Sequence, residues 1–180
     1  MGHDAYSCDL LPCSGGHPEW HYQEDVFEVI KKQEWDIMIA HPPCTYLAVS
    51  GARWMYNKDG SVNEERLKNQ HDALDFVKRL MDAPIKSIAI ENPISVISSQ
   101  IRKPDQIVHP YHFGDKASKS TCLWLKNLPK LEHTEVVEKG EFKEWIDKKS
   151  GKLKKQAKWY YDALITAKSS AERRTLRSKN

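Results

Sequence analysis

The chain has 180 residues, a formal net charge of +3 and 39% hydrophobic residues, including six tryptophans. This length predicts one domain that can bury about 70% of the surface of the unfolded chain without disulfides or metal. No apolar run approaches the ~18 residues of a membrane helix and no signal-peptide pattern opens the chain, so we expect a soluble protein with no membrane partner. Four cysteines are compatible with a reducing compartment, which favours a cytoplasmic location.

The charge is distributed unevenly along the chain. Residues 143–180 contain twelve Lys or Arg against four Asp or Glu, a local net charge of +8, which leaves −5 for residues 1–142. Such a basic segment either meets polyanions or is a solvated tail, and composition alone leaves both interpretations open. We therefore divide the chain into an α/β core, residues 1–135, and a basic, largely helical C-terminal segment, residues 136–180.

Short apolar runs alternate with helical patterns in the first half of the chain. The predicted strands are Ala5 to Cys8, Trp20 to Tyr22, and Ile37 to Ala40. Helical turns are predicted from Val26 to Lys32, and the clearest helix extends from an Asn63 N-cap to about Met81. Its apolar stripe at helical spacing assigns these residues to the core: Leu67, Ala73, Leu74, Val77, Leu80 and Met81.

The second half begins with a buried strand from Ser87 to Ile90, followed by an irregular segment at residues 100–121 and a strand from Thr121 to Leu125. Residues Glu141 to Thr166 are predicted to be helical around Gly151. Strand, helix and strand joined by short connections form the βαβ unit of a parallel sheet. The predicted fold class is therefore α/β, with a Rossmann-like, mostly parallel sheet and flanking helices.

Two of the predicted strands end at polar corners that prolines terminate. Cys44 follows Pro42 and Pro43 after one strand, and Glu91-Asn92-Pro93 ends the next. Because the carboxyl ends of neighbouring parallel strands meet at one edge, where α/β proteins bind ligands, we expect Cys44 and Glu91 to lie close together. A half-buried structural cysteine in a tight loop is the alternative interpretation of Cys44.

Two other kinds of site are weak matches. Cys8, Cys13, His17 and His21 follow the order C-x4-C-x3-H-x3-H, but structural zinc sites need a longer segment between the ligand pairs. Residues 114–121 come close to a phosphate-binding loop but lack its second glycine, and a strand follows instead of a helix. We therefore predict no metal site and no phosphate loop.

The chemistry of Cys44 leaves several alternatives. A hydrolase would need His41 or His71 as its base, and neither has an identifiable orienting partner. A redox role would need a nearby resolving cysteine. A thiolate at Cys44 can also add to C6 of a cytosine ring if an acid such as Glu91 protonates the ring nitrogen, which makes C5 able to attack a methyl donor.

The segments AHPPCTYLAVSGARW, IENP, HPYHFG and KSTCLWLKNLP resemble the cytosine-C5 DNA methyltransferases, in particular the short versions encoded by bacteriophages and prophages. Pro42-Pro43-Cys44 matches the catalytic Pro-Cys motif, and Glu91-Asn92 matches the Glu-Asn-Val motif, with Pro93 in place of valine. The resemblance implies transfer of a methyl group from S-adenosylmethionine to C5 of a flipped cytosine in double-stranded DNA. It implies a covalent Cys44 adduct, Glu91 as the acid at N3 and Asn92 as a further residue of the catalytic site.

The same resemblance implies the residues that bind the cofactor and DNA. Asp9 would hold the ribose hydroxyls of S-adenosylmethionine, Asp25 would contact its adenine, and Pro42 would line its pocket. The residues expected to contact DNA are Arg53, Arg102, Lys116, Lys119, Arg173 and Arg174, with Arg102 a loose match to an arginine motif. Contacts to phosphates give salt-dependent affinity without sequence choice. A phage-encoded enzyme of restriction-modification type would act in the bacterial host cytoplasm.

The family also has parts that are expected outside residues 3–178. Its Gly-rich turn, which cradles the methionine part of the cofactor, should precede residue 3, and the helix that closes the pocket should follow Ser178. The chain therefore looks trimmed at both ends, and we expect a gap in the sheet between the strands that end at Asp9 and Cys44. The alternative function is a catalytically impaired, methyltransferase-like nucleic-acid-binding protein that does not bind the cofactor.

Overall fold

Helices and strands alternate through the computed structural model, which describes residues 2–148, 150–167 and 169. The strands of this part of the chain are β1 (Ser7–Cys8), β2 (His21–Tyr22), β3 (Ile37–Ala40), β4 (Ser87–Pro93), β5 (Gln106–Val108), β6 (Thr121–Lys126), β7 (Phe142–Ile146) and β8 (Leu153–Ala157). The α-helices are α1 (Val26–Ile30), α2 (Glu64–Met81), α3 (Ile97–Gln100) and α4 (Lys158–Thr166). Three 3-10 helices cover Pro18–Trp20, Val49–Met55 and Pro110–His112.

The described strands form three separate sheets. β1 and β2 pair in parallel, β3, β4, β6 and β5 form a four-stranded sheet in that order, and β7 and β8 form an antiparallel hairpin. The prediction of a mixed α/β protein is confirmed. Among the described residues β1 and β3 belong to separate sheets.

The prediction of a mostly parallel sheet holds for β1 with β2 and for β3 with β4, but not for the other pairs. β6 runs antiparallel to both β4 and β5. The chain reaches β6 from β5 through a loop and not through a crossover helix, so it returns in the opposite direction. β5 lies in a segment that we predicted to be irregular, because three residues are too few to show a periodic pattern.

The helix α2 has the boundaries that its sequence predicts. The Asn63 side chain accepts a hydrogen bond of 3.0 Å from the backbone N–H of Arg66, which caps the first turn. Leu74, Val77 and Leu80 of the predicted stripe are buried. They pack in one cluster with residues of the four-stranded sheet that include Ile88, Ile90 and Trp124. Full burial of each such aliphatic side chain contributes about 1.5–3 kcal/mol.

The predicted helix over Glu141 to Thr166 is wrong in its first half. Residues Phe142–Ile146 and Leu153–Ala157 form the hairpin of β7 and β8, with Gly151 at a φ of 65° in the turn, and only Lys158–Thr166 is helical. Glu144 pairs across the strands with Lys155 at 2.9 Å. Cross-strand pairs of this kind, with Phe, Trp and Ile in β7, outweigh the helix propensity of the Lys and Glu residues.

Candidate active site

Cys44 stands at an exposed corner just after β3. Pro42 is buried, whereas Pro43 and Cys44 are exposed, and the thiol of Cys44 is free. Prolines cannot donate to a sheet ladder, so the strand ends here. The carbonyl of Cys44 accepts hydrogen bonds from the backbone N–H groups of Leu47, at 3.1 Å, and Ala48, at 2.9 Å, and the chain turns sharply. The corner presents the thiol to solvent on a short loop.

Side chains from α2 and β4 hold this loop at three successive places. The Asn92 amide donates to the carbonyl of Pro42 at 2.9 Å, Arg66 donates to that of Thr45 at 3.0 Å, and Gln70 donates to that of Tyr46 at 2.9 Å. The sequence interpretation missed Arg66 and Gln70. Their signal was a pair of polar residues four apart on α2, which places both on one face of the helix.

Glu91 and Asn92 lie on the adjacent strand, at the level of the Cys44 corner. Ala40 of β3 is opposite Ile90 of β4, so the residues that follow each of them continue side by side. The partly buried Glu91 carboxylate lies 3.1 Å from Nδ1 of His41, and Asn92 is buried. His41 was considered as a hydrolase base for Cys44 without an identifiable orienting partner, and the structure shows it in contact with Glu91.

The two corners are also joined through their backbones. The N–H of Val49 donates to the carbonyl of Ile94 at 3.1 Å, and that of Val96 donates to the carbonyl of Leu47 at 2.9 Å. Ala48 and Ser95 form an antiparallel bridge between the two loops, and Leu47 is fully buried beneath them. The loop after Cys44 and the loop after Glu91 therefore form one packed unit.

Unpaired polar atoms concentrate in this unit. Of the buried side-chain nitrogens and oxygens without a hydrogen-bond partner in the described part of the chain, three belong to Arg66, Asn92 and Ser95. An unsatisfied buried polar group costs about 1–3 kcal/mol, so such groups are rare away from functional sites. Asn92 and Ser95 belong to the packed unit, and Arg66 of α2 bonds to its Cys44 loop. This corner is the candidate site because it combines these groups with Cys44 and Glu91.

A cleft of about 600 Å³ adjoins the corner on the open side of β3. Asp9, Asp25 and Pro42, the three residues predicted to bind the cofactor, all line it, together with Glu24. Burial, followed by the negative charges of Asp25, Asp9 and Glu24, raises the pKa of the Cys8 thiol. One end of the cleft is therefore acidic, and its remaining walls are mainly apolar.

An aromatic and basic surface follows the Cys44 loop. Arg53 in the 3-10 helix Val49–Met55 lies over the exposed ring of Trp54, at 4.5 Å from its centre. A second cleft, of about 520 Å³, includes Trp54, Tyr56 and Lys58 in its lining. Such pairs of cations and exposed aromatic rings suit phosphates and unstacked bases.

The other residues predicted to contact DNA differ in their surroundings. Lys116 and Lys119 are exposed in the loop before β6, and neither belongs to an ion pair among the described residues. Arg102 forms an ion pair of 2.8 Å with Asp105 and donates to the carbonyl of Leu125 at 3.2 Å, so its guanidinium already has partners within the fold. Arg173 and Arg174 lie outside the described residues.

The described residues form no metal centre and no membrane-spanning helix. Across residues 2–148, 150–167 and 169, no group of three or more His, Cys, Asp or Glu side chains is arranged to hold a metal ion. Cys8 and His21 of the zinc-like pattern contact the backbone instead, at Glu24 and Leu11 respectively. None of the helices within the described residues is long and apolar enough to cross a bilayer.

A cluster of aromatic rings and histidines precedes and follows the Lys116 loop. The rings of His112 and His133 stack with centres 3.9 Å apart, and those of His109 and Tyr111 stack at 4.9 Å. Partial burial and the nearby cations lower the pKa of His109 and of His112. The neutral imidazole is therefore favoured at His109 and at His112.

Comparisons of the chain with protein-family models, with characterised proteins and with solved structures found no significant match.

Proposed function

We propose that the protein is an S-adenosylmethionine-dependent DNA cytosine-C5 methyltransferase built on a Rossmann-like core. The observation that carries this proposal is the packed unit of two strand ends, in which the Cys44 loop is bonded through Pro42 to Asn92 and His41 contacts Glu91. A nucleophile and a carboxyl group on adjacent strand ends are what attack on a cytosine ring requires.

Residues of this chain would activate the target cytosine. The Cys44 thiolate forms a bond to C6 of cytosine while Glu91 delivers a proton to N3, and C5 gains the electron pair. S-adenosylmethionine, when bound, would supply an electrophilic methyl group to C5, with the neutral thioether as leaving group. Loss of the C5 proton to a base would then expel the Cys44 thiolate, and return of the N3 proton to Glu91 would restore the aromatic ring and the free enzyme. The thiolate and not the thiol is the nucleophile, so the substrate complex must favour deprotonation of Cys44.

Positioning is the role that we assign to His41 and Asn92. His41 Nδ1 lies 3.1 Å from one Glu91 oxygen and so fixes the orientation of the carboxyl group. The other Glu91 oxygen is left to contact the cytosine. Asn92 holds the carbonyl of Pro42 and so sets where the Cys44 loop begins. The two residues together determine the distance between the nucleophile and the acid.

The cleft beside β3 fits the expected cofactor. Its volume is within the range of about 300–1,000 Å³ that is usual for small-molecule sites. The exposed carboxylates of Asp9 and Asp25 suit the hydroxyl and amine donors of a nucleoside, and Pro42 connects this site to the Cys44 loop. These residues would hold the adenosine part of S-adenosylmethionine next to the reacting base.

DNA would approach the exposed side of the Cys44 corner. The target cytosine must leave the duplex to reach the thiol, because its ring is inaccessible within the stacked helix. Arg53 and the exposed Trp54 belong to the 3-10 helix that follows the Cys44 loop and would contact the flipped nucleotide, and Lys116 and Lys119 would contact phosphates. Binding would weaken with salt because these contacts are mainly to the backbone.

Methyl transfer to DNA is the direct test. We expect Cys44→Ala to abolish incorporation of tritium from labelled S-adenosylmethionine into duplex DNA, because the group that adds to C6 is removed. Cys13→Ala is the matched control, since Cys13 is also a free thiol but does not line the cleft beside the corner, and it should retain activity. Equal incorporation by the Cys44 variant and the unaltered protein would refute the proposal.

One observation favours a second candidate, a nucleic-acid-binding protein without methyl transfer. No glycine lines the cleft among the described residues, so the backbone cradle expected for the methionine part of the cofactor is not formed by them. Calorimetric titration of the protein with S-adenosylmethionine distinguishes the two functions. Absence of binding at millimolar cofactor, with DNA binding retained, would favour this second candidate.

A further inference from the structure

Three aromatic rings line the second cleft, and none of them pairs with another ring in the part of the chain that the structure describes. They belong to Tyr46, Trp54 and Tyr56. Trp54 is 56% exposed and Tyr56 is 61% exposed. The exposed Trp20, by contrast, stacks on His17 with ring centres 4.9 Å apart. The second cleft therefore has aromatic surface that the fold itself does not use.

Guanidinium groups hold two of these rings in place. That of Arg53 lies 4.5 Å from the ring centre of Trp54, and that of Arg66 lies 5.2 Å from the ring centre of Tyr46. Arg66 is itself fixed, because it donates to the carbonyl of Thr45 at 3.0 Å. Since the cation covers only one face of the Trp54 ring, a planar group can stack on the other.

The turn that carries Lys58 at the side of the cleft is closed by its own hydrogen bonds. The N–H of Asn57 donates to the carbonyl of Ser61 at 2.8 Å, and the Asn57 amide donates to the Ser61 hydroxyl at 2.9 Å. Tyr56 and Val62 form an antiparallel bridge at the base of the turn. This wall of the cleft therefore has its shape before a ligand binds, which lowers the entropic cost of binding.

Three polar side chains that line the cleft are available to a ligand. Lys58, Glu65 and Asn69 have no side-chain hydrogen bond or ion pair among the described residues. Lys58 offers a cation, Glu65 offers an acceptor, and the Asn69 amide offers both a donor and an acceptor. Together with the aromatic rings, these groups match the phosphate, the edge and the face of a nucleotide.

We infer that the second cleft binds one unpaired nucleotide of single-stranded DNA, whose base stacks on Trp54 and whose phosphate contacts Lys58. Stacking uses the face of the base and is therefore tolerant of its identity. Because Tyr46 belongs to the Cys44 loop and also lines the cleft, this nucleotide would be the neighbour of the flipped cytosine, and Trp54 would contact both. That placement rests on the proposed function, whereas binding of a single strand does not.

Other occupants use fewer of the groups in the cleft. A proline-rich peptide also binds in grooves lined by exposed aromatic rings, but its backbone brings no anion to Lys58. A small apolar ligand would cover the rings and leave Lys58, Glu65 and Asn69 without partners. A nucleotide uses the rings, the cation and the hydrogen-bonding groups together.

The experiment measures binding of fluorescent oligothymidine to the complete 180-residue chain without cofactor. Oligothymidine contains no cytosine, so it does not offer the target base. Trp54→Ala should weaken its affinity at least about tenfold, which corresponds to about 1.4 kcal/mol, and Trp54→Phe should retain most of it because a phenyl ring still stacks. Trp20→Ala removes a tryptophan that is 53% exposed outside the cleft and should change nothing. Equal losses at Trp54 and Trp20, or loss at neither, would overturn the inference.

A duplex of adenosine and thymidine strands separates recognition of an unpaired base from attraction to phosphates. Trp54→Ala should lose more affinity for the single strand than for this duplex, and equal losses on the two would overturn the inference. Unaltered protein that methylates duplex DNA but does not bind oligothymidine would overturn this inference alone. Unaltered protein that binds oligothymidine without methyl transfer would support it and refute the proposed function.

The phosphate contact is tested through salt. Lys58→Gln should lower the slope of log affinity for oligothymidine against log salt concentration by about 0.7, the value for one phosphate contact of a single strand. Lys86→Gln, at an exposed lysine that precedes β4, should leave the slope unchanged. Equal slopes for the Lys58 variant and the unaltered protein would contradict the contact and overturn the inference.

Crosslinking locates the base on the unaltered protein and so does not depend on any variant folding. Ultraviolet irradiation with an oligonucleotide that contains bromouridine should place adducts at Tyr46, Trp54 or Tyr56, which mass spectrometry of the digested protein identifies. Adducts confined to residues outside the second cleft would overturn the inference.

Discussion

The Cys44 corner and the C-terminal hairpin are both short, loop-connected parts of the chain, but they are held in different ways. Pro42, Leu47 and Asn92 at the corner are buried and tied to distant segments, whereas every residue of β7 in the hairpin is exposed. The corner depends on long-range contacts and the hairpin depends on pairing between its own two strands. A reactive group that must keep a fixed distance from a second group is better supported by the first arrangement.

The largest effect should come from the residue that anchors the corner. Leu47→Ala removes a fully buried side chain and should lower the free energy of unfolding by about 2–5 kcal/mol. Leu153→Ala in β8 is the control, because Leu153 is 68% exposed, and it should change the stability by less than about 0.5 kcal/mol. Urea denaturation of both variants measures the difference. Equal losses of unfolding free energy would show that buried packing stabilises the corner no more than it stabilises the hairpin.

A smaller loss of stability is expected when the bond between the two strand ends is removed. Asn92→Ala deletes the buried bond to the carbonyl of Pro42 and should cost about 1–3 kcal/mol, with a decrease in the proposed methyl transfer that exceeds the fraction unfolded. Gln23→Ala is the control, since Gln23 makes the same kind of bond to Leu10 on the surface. A variant at Asn92 with unchanged activity would show that this bond does not position Cys44.

The stability that the histidine cluster contributes, unlike that of the corner or the hairpin, should depend on pH. The folded state lowers the pKa of His109 and of His112, so the unfolded chain binds more protons below their ordinary value of 6.5. The contribution of these residues to stability is complete above about pH 6.5 and decreases as the pH falls through the folded-state pKa values. We expect His112→Gln to reduce the fall in urea midpoint between pH 7.5 and pH 5.0, and the exposed His71→Gln to leave it unchanged. An unaltered fall in the His112 variant would contradict this.

The smallest effect should come from the hairpin itself. Glu144→Gln removes an ion pair whose two side chains are about half exposed, so it should cost no more than about 0.5 kcal/mol, and less at high salt. Thermal unfolding in low and high salt measures it. A loss comparable to that of Asn92→Ala would show that the hairpin is held as tightly as the corner.

The predictions that the structure confirms are those in which a local pattern coincides with burial. The boundaries of α2 were predictable because Asn63 caps it and its apolar stripe faces the core, and β3 was predictable because two prolines end an apolar run. The helix predicted over Glu141 to Thr166 is wrong in its first half because the same Lys and Glu residues also suit an exposed antiparallel pair. Exposed segments have no burial pattern to decide between the two.

The sequence alone determined the two polar corners, the capped helix between them and the candidate pair of Cys44 and Glu91, because strand ends, caps and apolar periodicity are encoded by neighbouring residues. The tertiary structure decided which distant groups meet there. It brought Arg66 and Gln70 to the Cys44 loop, placed His41 against Glu91 and reversed the direction of β6. These features depend on packing between segments far apart in the chain, which no local pattern records.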